Sequence, residues 1–475
     1  MSPHARILLQ SATAIDQTRF TLTTLLQTFD RPLTTGGAFC RYIRCMKTKL
    51  FLTVLTAVQV HFATASPAGG DYVAHEWGTF TSVQGADGIQ LEWNPFVVSD
   101  LPKFVYDRNR PHANVKVGNL ALPPVKLGFT TLQRMETPVI YFYSDQEQTV
   151  DVTVDFPQGI VTEWYPQLAP PIKTKSETMA LGPKTIHWDK VRVLPSKQND
   201  ALAGALPIET SGSHYYAARE TDADFLRIDA AGKSGAPPET EKFLFYRGVG
   251  NFRAPLTVTQ SGDGESVILQ NTGGEELRHL FIYRVHQGQG KFLYVKRLSA
   301  GGNEIVKLQA ERNLSSLPAL RTDIARHLQQ ALVKEGLYER EASAMVKTWD
   351  DSWFAEEGLR VLYTLPSAWT DRILPLTLEP KPREVVRVMV GRAELITPAM
   401  EWNLLKQVVR YSERDQSIRA RAIEDTRNLG LGRFLEPATR RLNGKMPSRE
   451  FSQLSWDLVN AASKPALEPK KLAVK

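Results

Sequence analysis

The sequence has few cysteines and no long apolar run, and both absences limit what the protein can be. Its 475 residues contain two cysteines, Cys40 and Cys45, and both precede a predicted export-signal cleavage site. The exported chain would therefore have no disulfide, no thiol nucleophile and no cysteine-based metal site. No later stretch reaches the roughly 20 apolar residues that a membrane-spanning helix needs. We therefore expect a soluble product without a transmembrane segment.

Several common catalytic motifs are also missing. His75-Glu76 has no second histidine at the spacing of a zinc protease, and no GxSxG, GxGxxG or EF-hand pattern occurs. "AAGKSG" (230–235) contains the Gly-Lys-Ser of a P-loop, but Arg227 stands where that motif needs its first glycine. These absences argue against several enzyme classes, and we predict neither a cofactor nor a metal site.

Residues 46–65 have the pattern of a secretory signal peptide. Lys47 and Lys49 form its basic start, an apolar stretch of the usual length follows, and a small-x-small site ends it. We predict that translation starts at residue 46 and that 1–45 is a misassigned upstream extension. The alternative is that the signal peptide has an unusually long N-terminal region before its apolar stretch. Cleavage at Ala65-Ser66 would place the protein in the periplasm or outside a bacterial cell.

The formal net charge of +7 comes mainly from this front segment. Residues 1–65 hold seven basic and two acidic side chains, so the exported chain is only +2. A nucleic-acid partner, which would need a strong basic surface, is therefore not predicted. Residues 401–475 are net +6. This basic end is interpreted either as a solvated helical surface or as a docking surface for an acidic envelope component.

Residues 66–310 are predicted to form an antiparallel β-rich region that resembles a sandwich or barrel. β-Branched and aromatic runs such as "TPVIYFYS" (137–144) alternate with Gly-rich turns, and no amphipathic helix pattern occurs. In "TVDVTVDFP" (149–157), apolar and polar residues alternate as in a half-buried strand. "SHYYAARET" (213–221) is also predicted as a strand.

Helical patterns begin after residue 310. Residues 311–400 are predicted to contain a helical hairpin followed by strands, and 401–475 to form a basic helical region with a disordered tail. Combined with the β-rich region at 66–310, this predicts an α+β multidomain protein.

Four clusters in the β-rich region place a titratable group beside a large aromatic, which is the chemistry of sugar-handling sites. Paired carboxylates can protonate a leaving oxygen and activate water or attack, and histidines can act as general bases. The candidate catalytic residues are Glu76, Glu163, His214 and Arg219, the last orienting an anionic or carbonyl group. The candidate ligand-binding residues are His75, Trp77, Trp164, Tyr165, Trp188 and Tyr216.

An ordinary structural interpretation of these clusters is also open. Tryptophan and tyrosine in β-sheets commonly belong to the core. Neighbours in a strand point to opposite faces, so His75 and Trp77 should share one face and Glu76 the other. A metal held by His75 with His187 or His214 is a weaker alternative.

Several longer motifs together resemble a family of secreted proteins from environmental bacteria. They are "HEWGTFTSV", "RMETPVIYFYS", "GIVTEWYP", "HYYAARETDA", "EKFLFYRG" and "DSWFAEEGLRVLY…VGRAEL". The resemblance covers most of 72–440. It implies export and a translation start close to a signal peptide, but this family has no established activity, so no residue role is carried over.

Three hypotheses follow from the sequence. The first is an exported envelope protein that binds a ligand such as a glycan. The second is a hydrolase acting on a polysaccharide or another envelope polymer, and the third is a structural component of an envelope assembly. The sequence decides neither whether the protein is an enzyme nor what its oligomeric state is.

Overall fold

A computed structural model of the chain describes residues 70–94, 101–107, 130–169, 182–209, 212–229, 237–308, 314–446 and 448–463. These residues belong to the compact unit Gly69–Lys475. The predicted extension 1–45, the signal peptide 46–65 and most of the C-terminal tail lie outside the described residues.

The strands run through the chain up to residue 396. The first ten are β1 (Gly70–Gly85), β2 (Gln90–Leu91), β3 (Tyr106–Asp107), β4 (Gln133–Ser144), β5 (Gln148–Asp155), β6 (Gly159–Tyr165), β7 (Thr185–Leu194), β8 (Phe225–Ile228), β9 (Glu239–Glu241) and β10 (Leu244–Gly250). The others are β11 (Leu256–Gln260), β12 (Ser266–Asn271), β13 (Leu277–His286), β14 (Gln289–Leu298), β15 (Asn303–Lys307), β16 (Ser315–Ser316), β17 (Gly358–Leu365), β18 (Leu376–Glu379) and β19 (Pro382–Ile396).

The α-helices that the structure describes follow residue 316, and the first of them alternate with the last strands. They are α1 (Leu317–Lys334), α2 (Glu339–Asp350), α3 (Ser367–Ile373), α4 (Pro398–Tyr411), α5 (Gln416–Arg427), α6 (Leu435–Lys445) and α7 (Arg449–Ala462). The predicted helical hairpin corresponds to α1 and α2. Pro318 occupies the first turn of α1, where a missing N–H does no harm. Helices α4 to α7 pack on one another as the basic C-terminal region.

The strands form three sheets. The central sheet has eleven strands in the order β16-β14-β13-β17-β19-β1-β4-β10-β6-β3, with β2 paired to β1. A five-stranded sheet has the order β18-β5-β7-β8-β9, and a three-stranded sheet the order β11-β12-β15. Among the described strands, every pairing is antiparallel except that of β1 with β19. The predicted fold class, a β-rich N-terminal part followed by a mixed and then helical part, is confirmed.

One hydrophobic core joins the three sheets to α1 and α2. It contains buried side chains such as Trp77 of the central sheet, Val152 of the five-stranded sheet, Val267 of the three-stranded sheet and Leu328 of α1. Strands β17 and β19, which come from 311–400, lie in the same sheet as β1 and β4. The segments 66–310 and 311–400 therefore share one core.

"AHEWGTFTSV" lies within β1, as predicted, at the middle of the central sheet. One edge of this strand pairs with β19 in parallel register, His75 opposite Val386, and the other edge pairs with β4. Because both edges and both faces are covered, almost the whole strand is buried. This position is consistent with the apolar or small character of most of its residues.

The predicted strand at 213–221 is wrong: the segment forms the 3₁₀ helix His214–Arg219. The Ser213 hydroxyl accepts the N–H of Tyr215 at 3.2 Å. Such a local bond offers the backbone an alternative to sheet pairing, and it outweighed the aromatic character of the segment. Strand β5, by contrast, has the alternation that was predicted, with its valines buried and its polar residues partly exposed.

Candidate functional site

The acid and the base that are adjacent in β1 lie on opposite faces of the central sheet. His75 lies towards α2, with its Nδ1 2.7 Å from Oε2 of Glu341. Glu76 lies on the other face, where it accepts hydrogen bonds from the hydroxyl of Tyr246 and from Nε of Arg387. The predicted alternation is confirmed, and the His-Glu-Trp triplet does not act as one group.

Glu341 is the centre of a buried network around His75. Its Oε1 accepts the hydroxyl hydrogen of Tyr143 at 2.6 Å, and its Oε2 accepts the backbone N–H of Tyr338 at 2.8 Å. The second bond satisfies a free donor at the N-terminus of α2. The His75 ring packs against both tyrosines, with ring centroids 5.4 Å from Tyr143 and 4.4 Å from Tyr338. These four side chains therefore hold one another in place.

A polar cavity of about 280 Å³ opens beside this network. Tyr143 and Tyr338 supply the aromatic part of its lining, and Tyr338 is 46 % exposed. The polar part of the lining has both signs of charge as well as neutral groups. It consists of Asp71, Ser144, Asp145, Ser196, Lys197, Gln198, Asp222, Asp224 and Arg383.

Several of the charged groups in this cavity are already paired. Asp71 lies 3.1 Å from Arg383, and Asp222 pairs with Arg340 of α2. Asp224 accepts the backbone N–H groups of Ser144 and Ser196 at 2.7 and 2.8 Å. Burial raises the pKa of Asp224 above its ordinary value, although these amide bonds act against the increase.

The two tyrosines of the cavity stay protonated at physiological pH. Burial, followed by the charge of Glu341, raises the pKa of Tyr143 well above its ordinary value. The same two causes raise the pKa of Tyr338. Both hydroxyls therefore act as neutral hydrogen-bonding groups, and the cavity offers donors and acceptors together.

Glu76, a candidate catalytic acid, is enclosed in an ion-pair network. Arg387 donates through Nε to Glu76 at 2.6 Å and through Nη1 to Asp371 at 2.7 Å. The Tyr246 hydroxyl donates to the other oxygen of Glu76, which is fully buried. Both carboxylate oxygens are therefore engaged in holding β1, β10 and β19 together.

The candidates on the 3₁₀ helix lie away from the cavity. Arg219 donates through Nε and Nη2 to the two oxygens of Glu241, at 2.9 and 2.6 Å. His214 is half-buried at the start of this helix, and the Tyr216 hydroxyl accepts the N–H of Glu209 at 2.8 Å. The Nε and Nη2 donors of Arg219 are thus bound to Glu241, a carboxylate of the protein itself.

The other aromatic candidates belong to the core. Trp77, Trp164, Tyr165 and Trp188 are each at most 4 % exposed. The indole N–H of Trp188 donates to the carbonyl of Pro166 at 2.9 Å. Their ring faces are covered by protein, so they do not offer the stacking surface that a sugar ring needs.

Glu163, the fourth catalytic candidate, is half-buried on β6 opposite Arg247 of β10. Across the described ranges, no hydrogen bond or ion pair connects any two of Glu76, Glu163, His214 and Arg219. Their chemistry suggested one common site, but the fold distributes them over three elements: Glu76 lies on β1, Glu163 on β6, and His214 and Arg219 on the 3₁₀ helix.

A second polar feature, which we name the Arg–Glu row, crosses one face of the central sheet. It is formed by Arg134 and Glu136 of β4, Arg360 of β17, and Arg392 and Glu394 of β19. Arg360 donates through Nε and Nη2 to the two oxygens of Glu394, at 2.9 and 3.2 Å. Arg392 donates to the same carboxylate and to Glu356. All five side chains are at most 8 % exposed.

Glu136 accepts hydrogen bonds from Thr81 and from Arg433, each at 2.6 Å. Burial acts to raise its pKa, but the charges of Arg433 and Arg134 prevail and lower it to about 2. Burial lowers the pKa of Arg134 to about 10; Glu136 opposes this change, whereas Arg247 and Arg433 add to it. Burial is therefore the main cause of the lowered pKa of Arg134.

Neither the Arg–Glu row nor Glu341 was predicted from the sequence. A signal for the row exists, because Arg134 and Glu136, and likewise Arg392 and Glu394, are two residues apart within apolar strands. Such spacing puts both charges on one face of a strand. No comparable signal marks Glu341, whose partner His75 is 266 residues away.

Within the described ranges, no three side chains of His, Cys, Asp or Glu are grouped as metal ligands. His75 pairs with Glu341, whereas His187 lies 2.9 Å from the hydroxyl of Thr153 on another sheet. Of the helices that the structure describes, none has the length and apolar composition required to cross a bilayer.

No protein-family profile and no curated protein matches the chain. Among solved structures, it is similar to the mu homology domain of Danio rerio Fcho1 with a bound Eps15 peptide (TM-score 0.29, 8% identity, 69% of this chain and 98% of that chain). It is also similar to the yeast delta-COP-I mu-homology domain, with a TM-score of 0.26 and 8% identity over 70% of this chain. The match covers 100% of that domain in its complex with a Dsl1 WxWxV peptide and 99% of it without the peptide. Scores this low do not establish a common fold.

Proposed function

We propose that the protein is an exported binding protein whose polar cavity takes a polyhydroxylated ligand, such as one unit of an envelope glycan. The single observation that carries this proposal is the cavity of about 280 Å³ beside Tyr143 and Tyr338. Ligand pockets typically have roughly 300–1,000 Å³, so this one suits a small ligand or a single unit of a polymer. Export itself rests on the signal-peptide pattern of residues 46–65.

The chemistry of the lining supports a sugar rather than an ion. Hydroxyl groups both donate and accept hydrogen bonds, so they match a surface that carries carboxylates, cations, amides and hydroxyls together. Asp71 and Asp222 already have cationic partners of the protein, Arg383 and Arg340. The partly exposed ring of Tyr338 supplies an apolar face for the C–H side of a pyranose.

Binding is favoured over hydrolysis because the candidate catalytic groups do not converge. A glycosidase needs two carboxyl groups about 5–10 Å apart on either side of one bond. Glu76 is enclosed by Arg387 and Tyr246, and Glu163 lies on a different strand near Arg247. Neither of them lines the cavity.

The test uses the purified protein and a panel of envelope and plant polysaccharides, with pull-down and release of reducing ends measured in the same tubes. We expect retention of at least one polysaccharide without release of reducing ends. Tyr338→Ala should reduce retention about tenfold, because it removes the exposed ring of the cavity.

Trp402→Ala is the matched control, because Trp402 is 43 % exposed and does not line the cavity. It should bind as the wild type does. Equal loss in both variants would refute the assignment of the cavity, and release of reducing ends would make the protein a hydrolase instead.

A further inference from the structure

Only part of the guanidinium of Arg433 forms hydrogen bonds with the protein. Arg433 lies in the 3₁₀ turn Gly432–Phe434, between α5 and α6. Its Nη1 donates to Glu136 at 2.6 Å. Its Nε and Nη2 are buried and have no acceptor within the described part of the chain. Buried donors of this kind are rare in native proteins, and each one requires an explanation.

Nε and Nη2 together form one edge of the guanidinium. In other arginines, this edge binds both oxygens of a carboxylate side-on. Elsewhere in this protein, Arg219 uses Nε and Nη2 for both oxygens of Glu241, at 2.9 and 2.6 Å. Arg360 uses the same two atoms for Glu394, at 2.9 and 3.2 Å. This fork matches the spacing of two oxygens on one anion. Arg433 presents it buried and without a protein carboxylate.

A second arginine presents a donor close by. Nη1 of Arg392 is also buried without an acceptor among the described residues, and the Arg392 side chain is fully buried. The guanidinium carbons of Arg392 and Arg433 lie 5.2 and 5.0 Å from the centre of the Phe434 ring. Both cations therefore flank one aromatic side chain.

The surroundings of the two arginines favour an anion. Four arginines share three carboxylates: the cations are Arg134, Arg360, Arg392 and Arg433, and the anions are Glu136, Glu394 and the partly exposed Glu356. A buried excess of positive charge is compensated by an added oxyanion, and the attraction is stronger away from bulk water.

We propose that Arg433 and Arg392 form a binding site for an oxyanion, with the Nε–Nη2 edge of Arg433 gripping two oxygens and Nη1 of Arg392 donating to the same group. A carboxylate fits the planar fork best, and sulfate and phosphate share its chemistry. This site has no residue in common with the polar cavity and does not depend on the glycan proposal.

The experiment is an isothermal titration of the purified protein with acetate, sulfate and phosphate, each against chloride at equal ionic strength. We expect saturable binding of at least one oxyanion and none of chloride. The preference among the three identifies the ligand as a carboxylate, a sulfate or a phosphate.

Arg433→Lys is the decisive variant, because it keeps a positive charge for Glu136 but removes the side-on fork. We expect it to weaken oxyanion binding at least about tenfold. Arg440→Lys is the matched control, since Arg440 forms an ion pair with Glu436 in the same helix. It should bind as tightly as the wild type.

A readout on the wild type keeps the proposal testable if Arg433→Lys fails to fold. The Nε–H resonance of Arg433, assigned in the ¹⁵N-labelled wild type, should shift when the oxyanion is added and should saturate over the same concentrations as the calorimetric titration. Absence of saturable binding, an equal response to chloride, or unchanged affinity in folded Arg433→Lys would each overturn the proposal.

Discussion

At the scale of single residues, the protein is distinguished by the charges that it buries. Glu76, Glu136, Glu341 and Glu394 are each at most 2 % exposed, and each has a cation, a histidine or a tyrosine as partner. An isolated buried carboxylate is strongly unfavourable, so these partners decide whether the sheet can form. The main role of these buried glutamates is therefore structural.

Glu136→Gln should destabilise the protein in a pH-dependent way. The pKa of Glu136 is lowered from 4.5 to about 2 in the folded state. A lowered folded-state pKa stabilises the protein above the unfolded value, and this contribution is lost as the pH falls from about 4.5 towards 2. At pH 7 the variant leaves Arg433 and Arg134 without their carboxylate, at a cost of about 3–5 kcal/mol.

Urea unfolding of the wild type and of Glu136→Gln at pH 7 and pH 3 measures this effect. The difference in the free energy of unfolding should shrink at pH 3. Glu147→Gln is the control, because Glu147 is 54 % exposed in its pair with Arg192 and should change stability by less than about 1 kcal/mol. A difference for Glu136→Gln that is the same at both pH values would contradict the assigned pKa.

At the scale of elements, the turn before α6 positions Arg433. Gly430 has φ +70°, and a Cβ added there would lie 2.5 Å from Cβ of Glu357. Gly432 also has a positive φ, at +46°. L-Residues pay a steric penalty in this conformation. The two glycines of "GLGRF" therefore allow the tight turn that brings Arg433 to Glu136.

Gly430→Ala should lower the free energy of unfolding by at least about 1–2 kcal/mol. Gly444→Ala is the matched control: Gly444 lies in α6, has no positive φ, and a Cβ there meets nothing within 4 Å. That variant should be neutral or stabilising by up to about 1 kcal/mol. Thermal unfolding of the two variants gives the comparison, and a shift of both in the same direction would refute this account of the turn.

Elements were predictable from sequence where one local pattern decided them. The valine alternation of β5 and the helical pattern that begins after residue 310 both correspond to what the structure has. The segment at 213–221 was not predictable from aromatic content, because the Ser213 hydroxyl favours a turn. The cavity was not predictable either. Tyr143 lies in β4 and Tyr338 directly precedes α2, and only the packing of α2 against the central sheet brings the two side chains together.

At the scale of the whole molecule, the central sheet depends on strands that are far apart in sequence. Residue pairs such as Glu76 of β1 and Arg387 of β19 are separated by 311 positions. Strand β1 has β19 on one side and β4 on the other. Removal of β19 would leave the backbone edges of β1 and β17, the two strands that it joins, without a partner.

A chain that ends at residue 380 should therefore fail to fold cooperatively, although it keeps all but one of the nineteen strands that the structure describes. Urea unfolding followed by tryptophan fluorescence tests this expectation, because buried tryptophans such as Trp77 and Trp188 report on the core. A single sharp transition in the truncated chain would show that residues up to 380 form an independent domain.

The central claim is that the cavity beside Tyr143 and Tyr338 binds a glycan unit. Its most direct test is an isothermal titration of the wild type and of Tyr338→Ala with an oligosaccharide cut from the polymer retained in the pull-down. We predict one binding site per chain in the wild type and an affinity about tenfold lower in Tyr338→Ala. Equal affinity in the two proteins, with Tyr338→Ala folded, would contradict the claim.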